Sequence, residues 1–383
     1  MRRFIETRRR LLFAAATALG LTGCGSGGNG DSPPPPPPPA PPRPYRLGVT
    51  RWPPDLTLDA VAAVDRFIAD ECDFVAPMLL GGVPWPEAFA GSPFSANLAA
   101  ELAYRKPAGY RMLVSTTPLN ANRSGMALYW GTAGEQQLPA PWNTLALNSA
   151  EVKTAFTNYA RRIVDTMQPD VLAIGIEHNV LLTATPALWP ALKELHRYVY
   201  DALKQQYPQL PVCFTIEALH LLGFATGSNA TTQRTEVLDL LRHSDLVAIS
   251  VYPHMSLGVP HPLPATFFDF AADLARDAGN KPIAISESGM TSRDTTVFGV
   301  TLRGTEAEQH DYMEKLLAAA ERDRYSFVVN FASHDFEPLV ARLPPDAQEL
   351  AKVWVYTGLK HSDGAVKPVM DTWRSAKTRV LQP

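Results

Sequence analysis

Eight short apolar runs separated by helical patterns predict an α/β protein built as a (β/α)8 TIM barrel. Continuous apolar runs of this length are typical of strands that are covered on both faces, as in parallel sheets. A doubly wound open sheet has the same alternation, but no glycine-rich phosphate turn follows the first run. The runs are Arg46–Thr50, Phe74–Leu79, Tyr110–Ser115, Val171–Ile176, Val212–Ile216, Leu246–Val251, Ile283–Ser286 and Phe327–Phe331.

The segments between the runs carry helix signals. Apolar residues recur at helical spacing between residues 152 and 167, and Asn148 with Glu151 is the expected cap and first-turn acid of that helix. Thr305 and Glu308 have the spacing of a capping box. These signals favour a barrel whose strands are joined by amphipathic helices.

The first residues predict an exported lipoprotein rather than part of the fold. Residues 1–23 contain an arginine-rich start and an apolar stretch too short to span a bilayer, as in a signal peptide. The sequence Leu-Thr-Gly before Cys24 resembles a lipobox, which makes Cys24 the expected lipidation site. Residues 7–12 also resemble a twin-arginine signal, so both export routes remain open.

Residues 24–44 are the expected linker between the lipid anchor and a barrel domain at 45–383. Seven consecutive prolines at 33–39 favour extended polyproline II, which would space the domain from a membrane. We therefore expect a cell-envelope protein, periplasmic or at the cell surface. A disordered tail behind a simple secretory signal is the alternative.

Charge and cysteine content give no sign of a nucleic-acid or metal partner. The formal charge of −3 gives no indication of nucleic-acid binding, and no self-complementary apolar surface can be identified, so a monomer is expected. Cys72 and Cys213 lie in different predicted units and are expected to be buried thiols, although an oxidising compartment would also permit a disulfide. No cysteine spacing of a metal site occurs.

Two of the runs lead directly to a glutamate. Glu177 follows the fourth run and Glu287 follows the seventh. In a barrel the carboxyl ends of the strands converge on one face, so these two side chains can meet there. Cleavage of a glycosidic bond needs such a pair, one as acid and one next to the anomeric carbon, and their separation decides between retention and inversion.

The sequence resembles glycoside hydrolase clan A, and within it the arabinogalactan endo-β-1,4-galactanases of family 53 and allied β-glycanases. The matching pieces are residues 173–177, 250–253 and 282–289, with a closing segment at 357–368. The resemblance implies a retaining glycosidase for β-linked poly- or oligosaccharide, with Glu177 as acid/base, Glu287 as nucleophile and Tyr252 as the hydrogen-bond partner of Glu287.

The resemblance has two departures. Ile176 stands where the clan usually has an asparagine that binds the sugar 2-hydroxyl. The tryptophan expected at the end of the eighth strand is missing, and Asn330, Phe331 and His334 stand there instead. Both departures support an alternative reading, a carbohydrate-binding lipoprotein barrel without catalysis.

Several polar and aromatic residues follow the predicted strands and are candidates for contact with sugar. Arg51 could instead pair with Asp55, and loop tryptophans pack their own loops as often as they stack on sugar. The long segment Thr116–Leu147 is the expected wall of the cleft. The substrate-binding candidates are Tyr252, Arg51, Trp52, His178, His254, Trp85, Asn330 and His334; Trp130 and Trp142 are further loop tryptophans, and Trp189, Trp354 and Trp373 are expected in the core.

No cofactor is expected for this chemistry, and no metal. A third reading is a zinc-dependent hydrolase that uses His178, His254 and His334, since three histidines can ligate zinc. These histidines come from three different strands without local ligand spacing, so contact with sugar or packing is favoured.

Overall fold

A computed structural model describes residues 41–382. The predicted signal peptide, Cys24 and nearly all of the linker lie outside these residues. The folded part begins before the expected boundary at Tyr45: Arg43 is buried, forms an ion pair with Asp73, and its backbone pairs with that of Leu381.

The eight predicted strands are present and form a parallel barrel. Within the described residues the strand segments, of which β9 and β10 lie outside the barrel, are β1 (Arg46–Val49), β2 (Phe74–Val75), β3 (Arg111–Ser115), β4 (Val171–Ala173), β5 (Val212–Cys213), β6 (Thr215–Glu217), β7 (Val247–Val251), β8 (Ile283–Ser288), β9 (Arg293–Val297), β10 (Val300–Thr305) and β11 (Phe327–Asn330). The sheet order is β5-β4-β3-β2-β1-β11-β8-β7-β6. The eight barrel strands are called staves and are numbered in chain order. β1 to β4 are staves one to four; β5 and β6, interrupted only at Phe214, together form stave five. β7, β8 and β11 are staves six, seven and eight.

The helices cover the outside of the barrel. They are α1 (Leu58–Glu71), α2 (Trp85–Ala90), α3 (Ala96–Leu102), α4 (Ala150–Met167), α5 (Leu181–Ala184), α6 (Trp189–Gln206), α7 (Ala218–Leu221), α8 (Ala230–Leu240), α9 (Asp269–Asp277), α10 (Glu306–Arg322), α11 (Glu337–Val340), α12 (Pro345–Ala351) and α13 (Val369–Lys377). Thr305 caps α10 with Glu308, as predicted. The cap of α4 is Ser149 rather than Asn148, because Ser149 Oγ accepts the hydrogen bond from Val152 N–H.

Alternate residues of each strand enter two separate cores. Outward residues such as Val114 and Ile285 pack against the helices. Inward residues such as Ala173 and Ala248 form a second cluster inside the barrel, where Phe74 stacks on Phe327 at 4.4 Å between ring centroids. The inward residues nearest the carboxyl ends of the strands are polar, and they form the mouth of the barrel.

A two-stranded antiparallel hairpin of β9 and β10 follows β8, and the sequence pattern did not predict it. Cys72 and Cys213 are buried free thiols, and burial raises the pKa of both. Within residues 41–382, no helix combines the length and apolarity that a membrane span requires.

Candidate active site

Glu177 lies at the mouth in an unusual backbone conformation. Regular pairing of β4 ends at Ala173, four residues before Glu177, which has a left-handed φ of 53°. The Glu177 N–H donates to Thr215 Oγ1 at 2.8 Å, so the fifth stave fixes this conformation. Such strain is uncommon for a side chain with a Cβ and is often found at functional sites.

Two donors hold the Glu177 carboxylate. Ser250 Oγ on β7 donates to Oε1 at 2.7 Å, and Arg123 Nη2 lies 3.3 Å from Oε2. The side chains of Glu177 and Arg123 are 19% and 11% exposed, so little solvent screens the pair. The carboxylate is therefore fixed in orientation and still partly exposed to solvent.

Glu287 reaches the mouth because β8 contains a bulge. Ile249 pairs with Ile285, but the next pair is Ser250 with Glu287, so Ser286 is an additional residue in β8. A bulge reverses the side to which the following side chains point. Without it, Glu287 would point outward like Ile285; with it, Glu287 lies beside the inward Ser250.

The surroundings of Glu287 set its ionisation. Burial raises the pKa of this carboxyl, and the negative charge of nearby Glu177 raises it further. The Tyr252 hydroxyl donates a short hydrogen bond to Glu287 Oε1, which lowers the pKa, as does the positive charge of Arg123. Tyr252 is buried and holds its proton, because burial and the adjacent carboxylate raise the pKa of the phenol. The two glutamates and Tyr252 are thus brought together.

Arg123 is a site residue that sequence reasoning missed. It comes from the predicted cleft wall, and its Nε donates to the carbonyl of Ile176 at 2.9 Å. It therefore lies beside the position where clan members usually have asparagine. No local pattern marks Arg123, because its role depends on a loop folding over the end of β4.

An aromatic cluster adjoins Glu287. Trp354 lies 6.2 Å from Tyr252 and 6.4 Å from Phe331 between ring centroids, and Trp52 lies 5.5 Å from Phe331. Trp354 is in a turn and is partly buried, so its predicted place in a helical core is wrong. Trp189 and Trp373 are in the core as predicted.

His178 does not face the cleft. It is completely buried, its ring stacks on Phe214 at 5.8 Å between ring centroids, and the ring packs against the backbone at Gly175. Burial lowers its pKa far below the usual value. From this position it packs the outside of the barrel instead of contacting a substrate.

The other strand-end candidates on staves six and eight are buried and have partners within the protein. His254 Nε2 bonds the carbonyl of Val353 at 2.9 Å, and the Asn330 amide donates to the carbonyls of Ala332 and Thr357. His334 Nδ1 bonds Ser333 Oγ at 2.9 Å, and burial lowers the pKa of His334 to about 4. These contacts shape the loops around the mouth.

Arg51, Trp52 and Trp85 occupy different environments. Arg51 pairs with Asp65 of α1 at 2.8 Å, while Asp55 pairs with Arg342. Trp52 is half-buried at the rim of the aromatic cluster. Trp85 is fully buried, and its indole N–H donates to the carbonyl of Ala127 at 2.9 Å, so it packs its loop.

Trp130 and Trp142 are also buried in loop packing. Trp354 and Trp52, by contrast, are only partly buried and belong to the aromatic cluster around Tyr252 and Phe331. Within the part of the chain that the structure describes, no three His, Cys, Asp or Glu side chains are arranged to hold a metal ion. The zinc reading requires His178, His254 and His334 to converge, and their separate partners keep them apart.

No protein-family model matches the sequence, and no curated protein matches it. Solved structures do share the fold. A β-glucuronidase of Bacteroides uniformis, covalently bound to cyclophellitol-6-carboxylate aziridine, superposes with a TM-score of 0.52 at 12% identity over 88% of this chain. An exo-β-1,4-mannosidase of an Opitutaceae bacterium has a TM-score of 0.57 at 15% identity, also over 88% of this chain.

A GH5_18 protein of Streptomyces cattleya in complex with Manβ1-4GlcNAc has a TM-score of 0.57 at 17% identity, over 88% of this chain and 83% of its own. The chain spans only 35% of the glucuronidase and 60% of the mannosidase. At these identities the comparisons establish the (β/α)8 barrel. The likeness to family 53 in particular remains a prediction.

Proposed function

We propose that this protein is a retaining glycosidase that cleaves β-linked oligo- or polysaccharide with Glu287 as nucleophile and Glu177 as acid/base. One observation carries the proposal: two carboxylates from staves four and seven meet at the barrel mouth, each held by its own donors, and their charges interact. Paired carboxylates of this kind favour a single shared proton, which the reaction requires.

Glu287 is suited to nucleophilic attack. The phenol of Tyr252 holds Oε1, so we assign Oε2 as the attacking oxygen. Burial and the charge of Glu177 raise the pKa of Glu287, and the hydrogen bond from Tyr252 and the charge of Arg123 act in the opposite direction, towards the ionised form that attacks. A buried, oriented carboxylate is a stronger nucleophile than a solvated one, because little water must be displaced when it attacks.

The reaction has two displacements. Glu287 Oε2 forms a bond to the anomeric carbon while the glycosidic C–O bond breaks, and Glu177 gives its proton to the departing oxygen. The ester that forms removes the negative charge of Glu287. Glu177 then takes a proton from water, the water oxygen bonds to the anomeric carbon, and the ester bond breaks to restore Glu287.

A β-linked substrate is proposed from two kinds of support. The motifs around both glutamates resemble enzymes for β-linked glycans. Barrels with the same fold include a β-glucuronidase with a covalently bound inhibitor and a protein in complex with Manβ1-4GlcNAc. The aromatic surface of Trp354 and Trp52 beside Glu287 suits the apolar face of a sugar ring.

The test is intact-protein mass after incubation with activated 2-fluoro-β-glycosides of glucose, galactose, mannose, xylose and glucuronic acid. We expect one sugar to add its glycosyl mass, mapped by peptide sequencing to Glu287 and absent in Glu287→Gln. Glu308→Gln on α10 is the matched control and should label like the parent. An adduct on another residue would refute the assignment of the nucleophile.

If the folded protein forms no adduct, it is either an inverting glycosidase or a barrel that binds sugar without catalysis. A second measurement separates these two explanations. NMR of the hydrolysis of a β-glycan identifies the anomer that forms first. An inverted anomer as the first product would refute retention. Binding of that glycan without hydrolysis would instead favour the non-catalytic barrel.

We also propose that the barrel is anchored in the cell envelope by lipid on Cys24, on the support of the lipobox and the proline-rich linker. Labelling of cells with an alkyne fatty acid should tag the parent and not Cys24→Ser. The variant should also leave the membrane fraction. Equal labelling of both would exclude lipidation at Cys24.

A further inference from the structure

A third carboxylate lies in strand register with Glu287 at the mouth of the barrel. Glu217 at the end of β6 pairs in register with Ser250 on β7, and Ser250 pairs with Glu287 on β8. Neighbouring strands are about 4.8 Å apart, so the backbones of Glu217 and Glu287 are about 10 Å apart across the mouth. This spacing is within the reach of a bound disaccharide.

The segment that carries Glu217 is tied to the segment that carries Glu177. Asn179 makes two bonds to Glu217: its Oδ1 accepts from the Glu217 N–H at 2.8 Å, and its Nδ2 donates to the Glu217 carbonyl at 2.9 Å. Thr215, two residues before Glu217, accepts the N–H of Glu177. Glu217, on the fifth stave, therefore lies beside the segment that carries Glu177, the proposed acid/base.

Glu217 orients a histidine. Its Oε2 lies 2.6 Å from His220 Nδ1, while both carboxylate oxygens also accept backbone N–H groups of the first turn of α7. A carboxylate oxygen accepts from a ring N–H, so Nδ1 is the donor to Glu217; in the tautomer with its single ring proton on Nδ1, Nε2 has a free lone pair. No hydrogen bond within residues 41–382 involves His220 Nε2.

The His220 side chain is 20% exposed, so part of the ring is accessible to solvent. The mechanism described above uses neither His220 nor Glu217. The carboxylate of Glu217 holds His220 in one tautomer and leaves Nε2 without a partner among the described residues. This nitrogen can accept a hydrogen bond from a hydroxyl group.

We propose that His220 Nε2 accepts a hydrogen bond from a hydroxyl of the sugar on the leaving-group side of the scissile bond, with Glu217 as its positioning residue. This assignment rests on the proposed roles of Glu177 and Glu287. The acid faces the departing oxygen, so a side chain that borders the acid borders the sugar that departs. His220 would then discriminate among leaving-group sugars.

The test measures binding in the Glu287→Gln background, so that it does not depend on hydrolysis. Titration calorimetry compares β-1,4-linked disaccharides of glucose, mannose and galactose with the methyl β-glycoside of each sugar. We expect His220→Ala to weaken binding of the preferred disaccharide by about three- to tenfold and that of its monosaccharide glycoside by less than about twofold. His220→Gln keeps an acceptor and should recover part of the loss.

The control is His310→Ala on α10, a partly exposed histidine whose ring contacts Thr372 of α13 and Glu314, and it should change neither affinity. An equal loss for disaccharide and monosaccharide, no loss for the disaccharide, or no disaccharide binding would each overturn the inference. Failure of the proposed function gives a different result: the parent hydrolyses none of the disaccharides, yet the binding difference at His220 persists.

Nitrogen-15 NMR of histidine-labelled protein tests the role of Glu217 directly. The His220 signal, assigned by its loss in His220→Gln, should show a protonated Nδ1 and a bare Nε2. Glu217→Gln should alter this tautomer signature. An Nε2-protonated ring in the parent would contradict the proposed acceptor.

Discussion

At the scale of single residues, the site depends on which donors reach each carboxylate. Ser250 and Arg123 hold Glu177, and Tyr252 holds Glu287. Tyr252 and Glu287 could be predicted because each lies in a short motif at a strand end. Arg123 could not, because a single arginine in a long loop has no periodic signal and its partner is 54 residues away.

Tyr252→Phe removes one hydrogen bond from Glu287 and leaves the ring in place. A hydrogen bond to a charged group contributes about 1.5–3 kcal/mol, so kcat/KM should fall by about 10- to 100-fold. The bond lowers the pKa of Glu287, so its loss raises that pKa, and the acidic limb of the kcat/KM–pH profile should move to higher pH.

Tyr325→Phe is the matched control, since Tyr325 is a buried tyrosine two residues before β11, at the amino-terminal end of the barrel. It should leave both the rate and the profile unchanged. A Tyr252→Phe profile whose acidic limb stays in place would show that the phenol does not set the ionisation of Glu287.

At the scale of elements, two irregularities in the strands build the site. The bulge at Ser286 turns Glu287 inward, and the left-handed conformation of Glu177 turns the chain at the end of stave four. Apolar runs predicted where these strands lie. They did not predict the bulge, because the extra residue in β8 is defined only by its pairing with β7.

Gly175→Ala should disturb the end of stave four. A Cβ at Gly175 would lie 2.1 Å from His178 Nε2, and His178 is packed between Phe214 and His196. Overpacking of this kind costs about 1–3 kcal/mol. Urea unfolding should therefore show a lower midpoint with an unchanged slope.

Gly125→Ala serves as the control because the nearest atom to its Cβ would be 3.6 Å away, which is ordinary contact. The double variant Gly175→Ala/His178→Ala should lose less stability than the sum of the single variants, since His178 is the obstacle. Strict additivity would mean that the two residues do not meet.

At the scale of the whole molecule, the barrel holds carboxylates in a place that stability alone would not favour. Glu287 is 9% exposed and lies above a packed apolar lumen. Burial and the charge of Glu177 raise its pKa, so the folded state binds protons more tightly here than the unfolded state. The contribution of Glu287 to stability is therefore greatest at acidic pH and falls as pH rises from the unfolded value towards the raised one.

Glu287→Gln removes this ionisation and should stabilise the protein at alkaline pH. We expect the variant to exceed the parent in free energy of unfolding by about 2 kcal/mol more at pH 8 than at pH 5. Urea titrations of both proteins at the two pH values measure the difference. Glu194→Gln gives the contrast, since the Lys153 partner lowers the pKa of Glu194 and no alkaline gain should follow. A gap between parent and Glu287→Gln that does not widen with pH would contradict a raised pKa.

Apolar spacing and strand-end residues predicted the order of eight strands, most helices between them, and the two glutamates at the ends of strands four and seven. These features are local: the spacing of apolar residues records which face of each element is buried, and the residue after an apolar run is the one at its end. Only long-range packing placed His178 outside the barrel, brought Arg123 to Glu177, turned Glu287 inward through a bulge, and put Glu217 in register with Ser250 and Glu287. Each of these depends on how elements distant in the chain pair and pack, because a side chain's neighbours across a barrel are fixed by strand register rather than by spacing along the sequence.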